Sequence, residues 1–152
     1  KVFRLTKGGS LIRGIFEGET INTPSMLCVE DCVGALEWAR GIGGLAALRA
    51  RADANAAVID AWVERTPWVR NLAVRPETRS NTSVCLALDA GEDVPKAMTK
   101  LLAAEGVALD VGAYRDAPPG LRIWCGATVE TSDLEALVPW LDWAYAEVTA
   151  GA

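Results

Sequence analysis

Arg115 and Arg122 flank a Pro118-Pro119-Gly120 turn in the stretch A-Y-R-D-A-P-P-G-L-R-I-W-C-G, Ala113 to Gly126. A guanidinium is a permanent planar cation whose paired donors match a carboxylate or a phosphate. Two of them at the ends of one proline-stiffened turn suit a small ligand with two anionic groups. A plainer role stands beside this one: Arg115 pairs with Asp116, and Arg122 is a solvated side chain on an edge strand. Arg122 alternates with Leu121 and Ile123, which puts it on one strand face with Trp124.

Asn22-Thr23-Pro24 is the second candidate. A helix start offers free N–H groups and the positive end of a dipole, which attract phosphate. Asn22 and Thr23 add side-chain donors there. An ordinary capped helix explains the same residues, with Thr23 as the cap and Pro24 at the first helical position.

What is missing narrows the chemistry. There is no histidine, so neither a Ser-His-Asp nor a Cys-His nucleophile system can be assembled. No Gly-rich phosphate loop of the Walker or dinucleotide type is present. The lysines are Lys1, Lys7, Lys96 and Lys100; none has the apolar surroundings that activate a lysine amine. From residue chemistry alone the chain binds an anion and lacks a catalytic group.

Around these residues lie 152 amino acids, 51% hydrophobic, enough for one domain core. No apolar run approaches the roughly 20 residues a membrane helix needs, so a soluble, cytoplasmic protein is expected. A net charge of −5 with scattered arginines argues against a nucleic-acid surface. Of the four cysteines, Cys28 and Cys32 are expected on a helix and Cys85 and Cys125 in strands, all as sequestered reduced thiols. The chain opens on Lys1 with a short apolar stretch, and reads as a sequence entered partway through.

The elements expected to position the candidates follow from periodicity and punctuation. Val2, Phe3 and Leu5, then Leu11, Ile12, Ile15 and Phe16, suggest two extended pieces around Gly8-Gly9. A helix should run from Thr23-Pro24 to Gly41, and a second from the Gly43-Gly44 break to Thr66-Pro67. Strands are expected at Val69–Val74, around Val84–Leu88, at Val107–Ala113 and at Leu121–Cys125. Helices are expected from Val94 to Glu105 and from Ser132 onward, the latter with a Ser132/Glu135 capping box and an internal Pro139. Trp38, Trp62, Trp68, Trp140 and Trp143 read as packing residues. The order β-β-α-β-β-α gives an α+β unit: a mostly antiparallel sheet with helices on one face.

Several stretches together resemble one family. F-R-L-T-K-G-G, F-E-G-E-T-I-N-T-P-S-M-L-C-V-E-D, R-A-D-A-N, R-S-N-T-S-V-C-L and G-A-Y-R-D-A-P-P-G-L-R-I-W-C-G-A-T-V look like the phosphoserine aminotransferases of alphaproteobacterial type. These are class V, fold-type I enzymes dependent on pyridoxal 5'-phosphate. The resemblance covers the C-terminal part of the family's protein. It implies that residues 1–24 end the large cofactor-binding domain, 25–66 are connecting helices and 67–152 form the small α+β domain.

The resemblance also implies roles. Asn22 and Thr23 match a pair that reaches the cofactor phosphate of the neighbouring subunit of a homodimer. Arg122 matches the arginine that grips the substrate carboxylate. Arg115 matches an arginine that holds the substrate phosphate, and Tyr114 stands where many members have a histidine. The imine-forming lysine falls before Lys1, so no residue here is expected to be catalytic and the piece alone is expected to be inactive. The implied reaction is transamination of 3-phosphohydroxypyruvate with glutamate in serine biosynthesis. Alternatives are another class V aminotransferase, a cysteine desulfurase, or a stand-alone non-catalytic module binding small molecules.

Overall fold

A computed structural model describes residues 5–20 and 22–150. Val2, Phe3 and Ile21 lie outside the described residues. The chain divides into two compact units, Lys1–Ile42 and Gly43–Ala152.

In the first unit, strands β1 (Thr6–Lys7) and β2 (Ser10–Leu11) pair antiparallel, with Lys7 opposite Ser10. Gly8 and Gly9 both take positive φ, 59° and 80°, which a tight two-residue hairpin turn requires. Ile15 and Phe16, expected to be extended, sit in a 3-10 turn, Arg13–Glu17, closed by Gly18 at φ 99°. Helix α1 (Met26–Gly41) follows. Its cap is Ser25, whose hydroxyl accepts from the Cys28 N–H at 3.4 Å, so Thr23 and Pro24 precede the helix rather than open it. None of the 16 residues of α1 is buried.

The second unit holds the core. Helix α2 (Gly44–Arg65), expected as a connecting helix, packs here and buries Ala52, Asn55, Ala56, Ile59 and Trp62. Strands β3 (Val69–Asn71), β4 (Ser83–Leu88) and β5 (Gly120–Trp124) form an antiparallel sheet in that order. Helix α3 (Val94–Ala104) begins with Pro95 in its first turn and stops before Gly106, at φ 70°. Helix α4 (Thr131–Thr149) packs against α2 and α3 and carries Pro139 within it. Val69, Val84, Leu86, Leu121 and Ile123 project from the sheet into one apolar core with Ile59, Trp62, Met98, Leu102 and Leu141. Burying each of these larger side chains contributes about 1.5–3 kcal/mol.

The α+β class and the antiparallel sheet agree with the sequence reading; three further details differ. Val107–Ala113 is not a strand but makes one bridge, Gly112 with Leu121. The N–H groups of Val107 and Ala108 turn back to the Leu102 carbonyl, completing the end of α3 instead of a sheet ladder. Strand β3 stops at Asn71 rather than Val74. The Ser132/Glu135 capping box does not form, because α4 starts one residue earlier with Glu130 at its cap. The hydroxyl of Thr131 donates instead to the buried Asn55 Oδ1 at 2.7 Å.

Asn55 explains why R-A-D-A-N sits on α2. Its amide donates to the carbonyls of Cys125, Gly126 and Val129 at 3.3, 3.2 and 3.0 Å. One turn earlier, Arg51 Nε donates to the Ala127 carbonyl at 2.8 Å and Nη2 meets Glu130 at 2.6 Å. Together they tie the loop after β5 to α2. Cys125 and Gly126 are buried, where an unmet carbonyl acceptor is costly.

Candidate functional site

The turn carrying Arg115 is held at both ends. On one side Gly112 bridges Leu121 and the Arg122 N–H donates to the Val111 carbonyl at 2.9 Å. On the other, Gly120 lets β5 approach β4 closely: a Cβ there would run into the Leu86 carbonyl oxygen. Within the turn the Ala117 N–H donates to the Tyr114 carbonyl at 2.9 Å, and Pro118 and Pro119 restrict the backbone. A flexible loop would have to be ordered by its ligand; this one is largely shaped beforehand.

Tyr114 and Arg115 line a cavity of about 360 Å³ between this turn and the start of α3, with Pro95, Lys96 and Thr99 across it. That volume lies near the small end of ligand sites. Arg115 is exposed and makes no hydrogen bond or ion pair among the described residues; the neighbouring Asp116 does not engage it. Its guanidinium therefore keeps its donors for something else.

Arg122 is placed differently. It does not line the Arg115 cavity but stands on the outer face of the sheet, opposite Cys85 in the β4 register, with Trp124 two residues along. Its Nη2 donates to Asp110 Oδ2 at 2.8 Å. The Arg122 side chain is 32% exposed and that of Asp110 84%, so this carboxylate can leave at little cost. Asp110 engages one of the guanidinium's donors, a pairing that the twelve-residue separation hides in sequence.

Asn22 and Thr23 are exposed in the first unit, before α1. Because Ser25 supplies the cap, the Thr23 hydroxyl is not used by the helix. Neither side chain has a hydrogen-bond partner among the described residues. Lys96 is the residue that sequence reasoning passed over; its place on an exposed helix face gave no signal that the cavity adjoins it.

The cysteines do not all follow the expectation of sequestered thiols. Cys28, Cys32 and Cys85 are exposed; Cys125 alone is buried. The first two lie on the unburied α1, and Cys85 points to the outer face of β4 because Val84 and Leu86 take the core. Burial pushes the Cys125 thiol up from 9.0 to about 11, with the negative charge of Asp60 adding to the shift. A thiol so placed is a poor nucleophile at neutral pH. Trp62 is fully buried and donates to Asp142 at 2.8 Å, and Trp68 stacks on Tyr145 at 3.8 Å. Trp38 and Trp140 remain partly exposed. Among the described residues no group of His, Cys, Asp and Glu is arranged to hold a metal, and no helix is long and apolar enough to cross a membrane.

Comparison with known proteins gives a consistent set. No family model matches the chain. It is 54% identical over 145 residues to the phosphoserine aminotransferases of Methanosarcina mazei and Methanosarcina barkeri, over 95% of its own length. It is 31% identical over 135 residues to a putative phosphoserine aminotransferase of Mycobacterium leprae. The chain spans 39% of the length of the two Methanosarcina relatives. The fold is similar to that of the phosphoserine aminotransferase from Bacillus circulans subsp. alkalophilus, with a TM-score of 0.74 at 24% identity over 83% of this chain and 34% of that one. A phosphoserine aminotransferase studied for radiation damage of its Schiff base is equally similar, at TM-score 0.74 and 18% identity.

Proposed function

We infer the role of this chain from its family: its sequence belongs with the phosphoserine aminotransferases, and we propose that it serves as the substrate-recognition part of such an enzyme. The observation that carries the reading is the 54% identity over 95% of the chain. In the proposed reaction an amino group passes from glutamate to 3-phosphohydroxypyruvate, giving 2-oxoglutarate and phosphoserine. Residues 1–24 would end the larger domain, 25–66 connect, and 67–152 form the small domain, within a cytoplasmic homodimer.

Each candidate residue then has a duty that its surroundings allow. Arg115 binds the substrate phosphate in the cavity it shares with Tyr114, whose hydroxyl donates one neutral hydrogen bond. Arg122 grips the substrate carboxylate by exchanging it for the exposed Asp110. Two anionic groups held by two guanidiniums leave little freedom to the atoms between them, which is how binding is converted into orientation. Pyridoxal 5'-phosphate fits Asn22 and Thr23 as a phosphate ligand: both are exposed, neither is engaged by the described residues, and a helix N-terminus follows. When bound, that cofactor supplies the electron sink for moving the amino group.

Among the described residues no lysine offers a site for attaching the cofactor. Lys7 lies on an exposed hairpin strand and Lys96 and Lys100 are exposed on α3. The chain by itself is therefore proposed to be inactive. The exposed Cys85 removes burial as an argument against desulfurase chemistry, and the Arg115 cavity takes over as the discriminator. In the full enzyme, Arg115→Ala should lower kcat/KM for phosphorylated substrates about a hundredfold, corresponding to about 2–3 kcal/mol. Unphosphorylated amino acids should be affected less than about threefold. Equal losses on both would remove the phosphate role.

A further inference from the structure

We propose that Lys96 is a second phosphate-binding cation of the Arg115 cavity and sets the preference for phosphorylated over unphosphorylated substrates. The proposal deepens the reading of Arg115 given above and rests on it.

A phosphate monoester carries about −1.5 to −2 charges near neutral pH, more than one guanidinium neutralises. The cavity walls hold Arg115 and, facing it from α3, Lys96; no carboxylate lines it, and Tyr114 adds only a neutral hydroxyl. Lys96 is the third residue of α3, so its ammonium works beside the positive end of an 11-residue helix.

Its present attachment is weak. Lys96 Nζ lies 3.8 Å from Asp93 Oδ1, with the two side chains 78% and 99% exposed. A single contact of that length between solvated groups is readily exchanged for a dianion held at the same time by Arg115. The lysine stem is long and flexible, whereas the turn bearing Arg115 is fixed by its prolines and by the bridge to β5. Arg115 thus defines the position and Lys96 closes on it. Lys100, one turn further along α3, borders a different cavity with Leu101 and Val148 and has no part in this one.

The test measures equilibrium binding of O-phospho-L-serine and of L-serine to the full enzyme, as wild type and as Lys96→Ala, Lys96→Arg and Arg115→Ala. Lys96→Ala should weaken phosphoserine binding about tenfold and leave serine binding unchanged, and Lys96→Arg should restore affinity to within about threefold. If Arg115→Ala loses phosphoserine affinity while Lys96→Ala does not, Lys96 is a solvated helix residue and the inference is overturned, with the Arg115 reading intact. If neither substitution affects phosphoserine, both readings fall. Equal weakening of the two ligands by Lys96→Ala overturns the specificity role.

Discussion

Helices α1 and α2 follow one another in sequence, yet α1 buries none of its residues and α2 buries five. Leu36 on α1 is 65% exposed; Ile59 and Trp62 on α2 are fully buried. The difference lies in what each helix faces within its own unit. Helix α2 has β3 and α4 against it, whereas the first unit offers α1 a two-stranded hairpin and a 3-10 turn, too little to form a core. An apolar stripe records that a helix is meant to be covered, not by what. Met26, Leu27, Val29, Val33 and Leu36 form such an uncovered set.

The contrast can be broken most sharply by truncation. Trp62→Ala should cost about 3–5 kcal/mol in chemical denaturation, because it empties a core position and strands the Asp142 carboxylate that it binds. Leu36→Ala in the isolated chain should change stability by less than about 0.5 kcal/mol. Comparable losses at the two sites would mean that α1 is covered in solution.

A smaller effect is expected at Asn55. Asn55→Ala leaves three carbonyls and the Thr131 hydroxyl without their partner and should cost about 2–4 kcal/mol. Asn55→Asp should be no better, since a carboxylate cannot donate to carbonyls. A loss below about 1 kcal/mol would show that water replaces the amide.

The smallest effect is a pH dependence. Cys125 in the folded chain stays neutral up to about pH 11, while in the unfolded chain it ionises near 9.0. A raised folded pKa gives stability that is complete below about pH 9 and is lost as pH climbs toward 11. The loss should be on the order of 2 kcal/mol. Wild type and Cys125→Ala, compared by denaturant midpoint from pH 8 to 11, should differ in slope over that window; parallel curves would place Cys125 in contact with water.

Much of the fold was legible before any coordinates. Gly8-Gly9 set the hairpin, Gly41 to Gly44 separated α1 from α2, and Pro95 and Gly106 bounded α3, because each acts through the backbone freedom of its own residue. The cap of α1 lies two residues beyond Thr23 because Thr23 and Ser25 are both acceptable caps, and the choice depends on which hydroxyl reaches an N–H. The strand expected at Val107–Ala113 does not form: alternation of apolar residues does not say whether their N–H groups face a neighbouring strand or the end of a helix. At the candidate site, Arg115 and Arg122 could be singled out by residue type and Tyr114 through the resemblance, whereas Lys96 could not.

The sequence by itself determined which residues carry anion-matching donors, where the chain turns, and which proteins it resembles, since these depend on side-chain chemistry and short-range backbone preferences. Tertiary structure alone decided that Arg115 lines a cavity with Lys96 while Arg122 is paired with Asp110 outside it. It also decided that Asn55 secures the loop beyond β5. Those outcomes depend on which distant residues share a space after the sheet and helices have packed, and no local pattern carries that information.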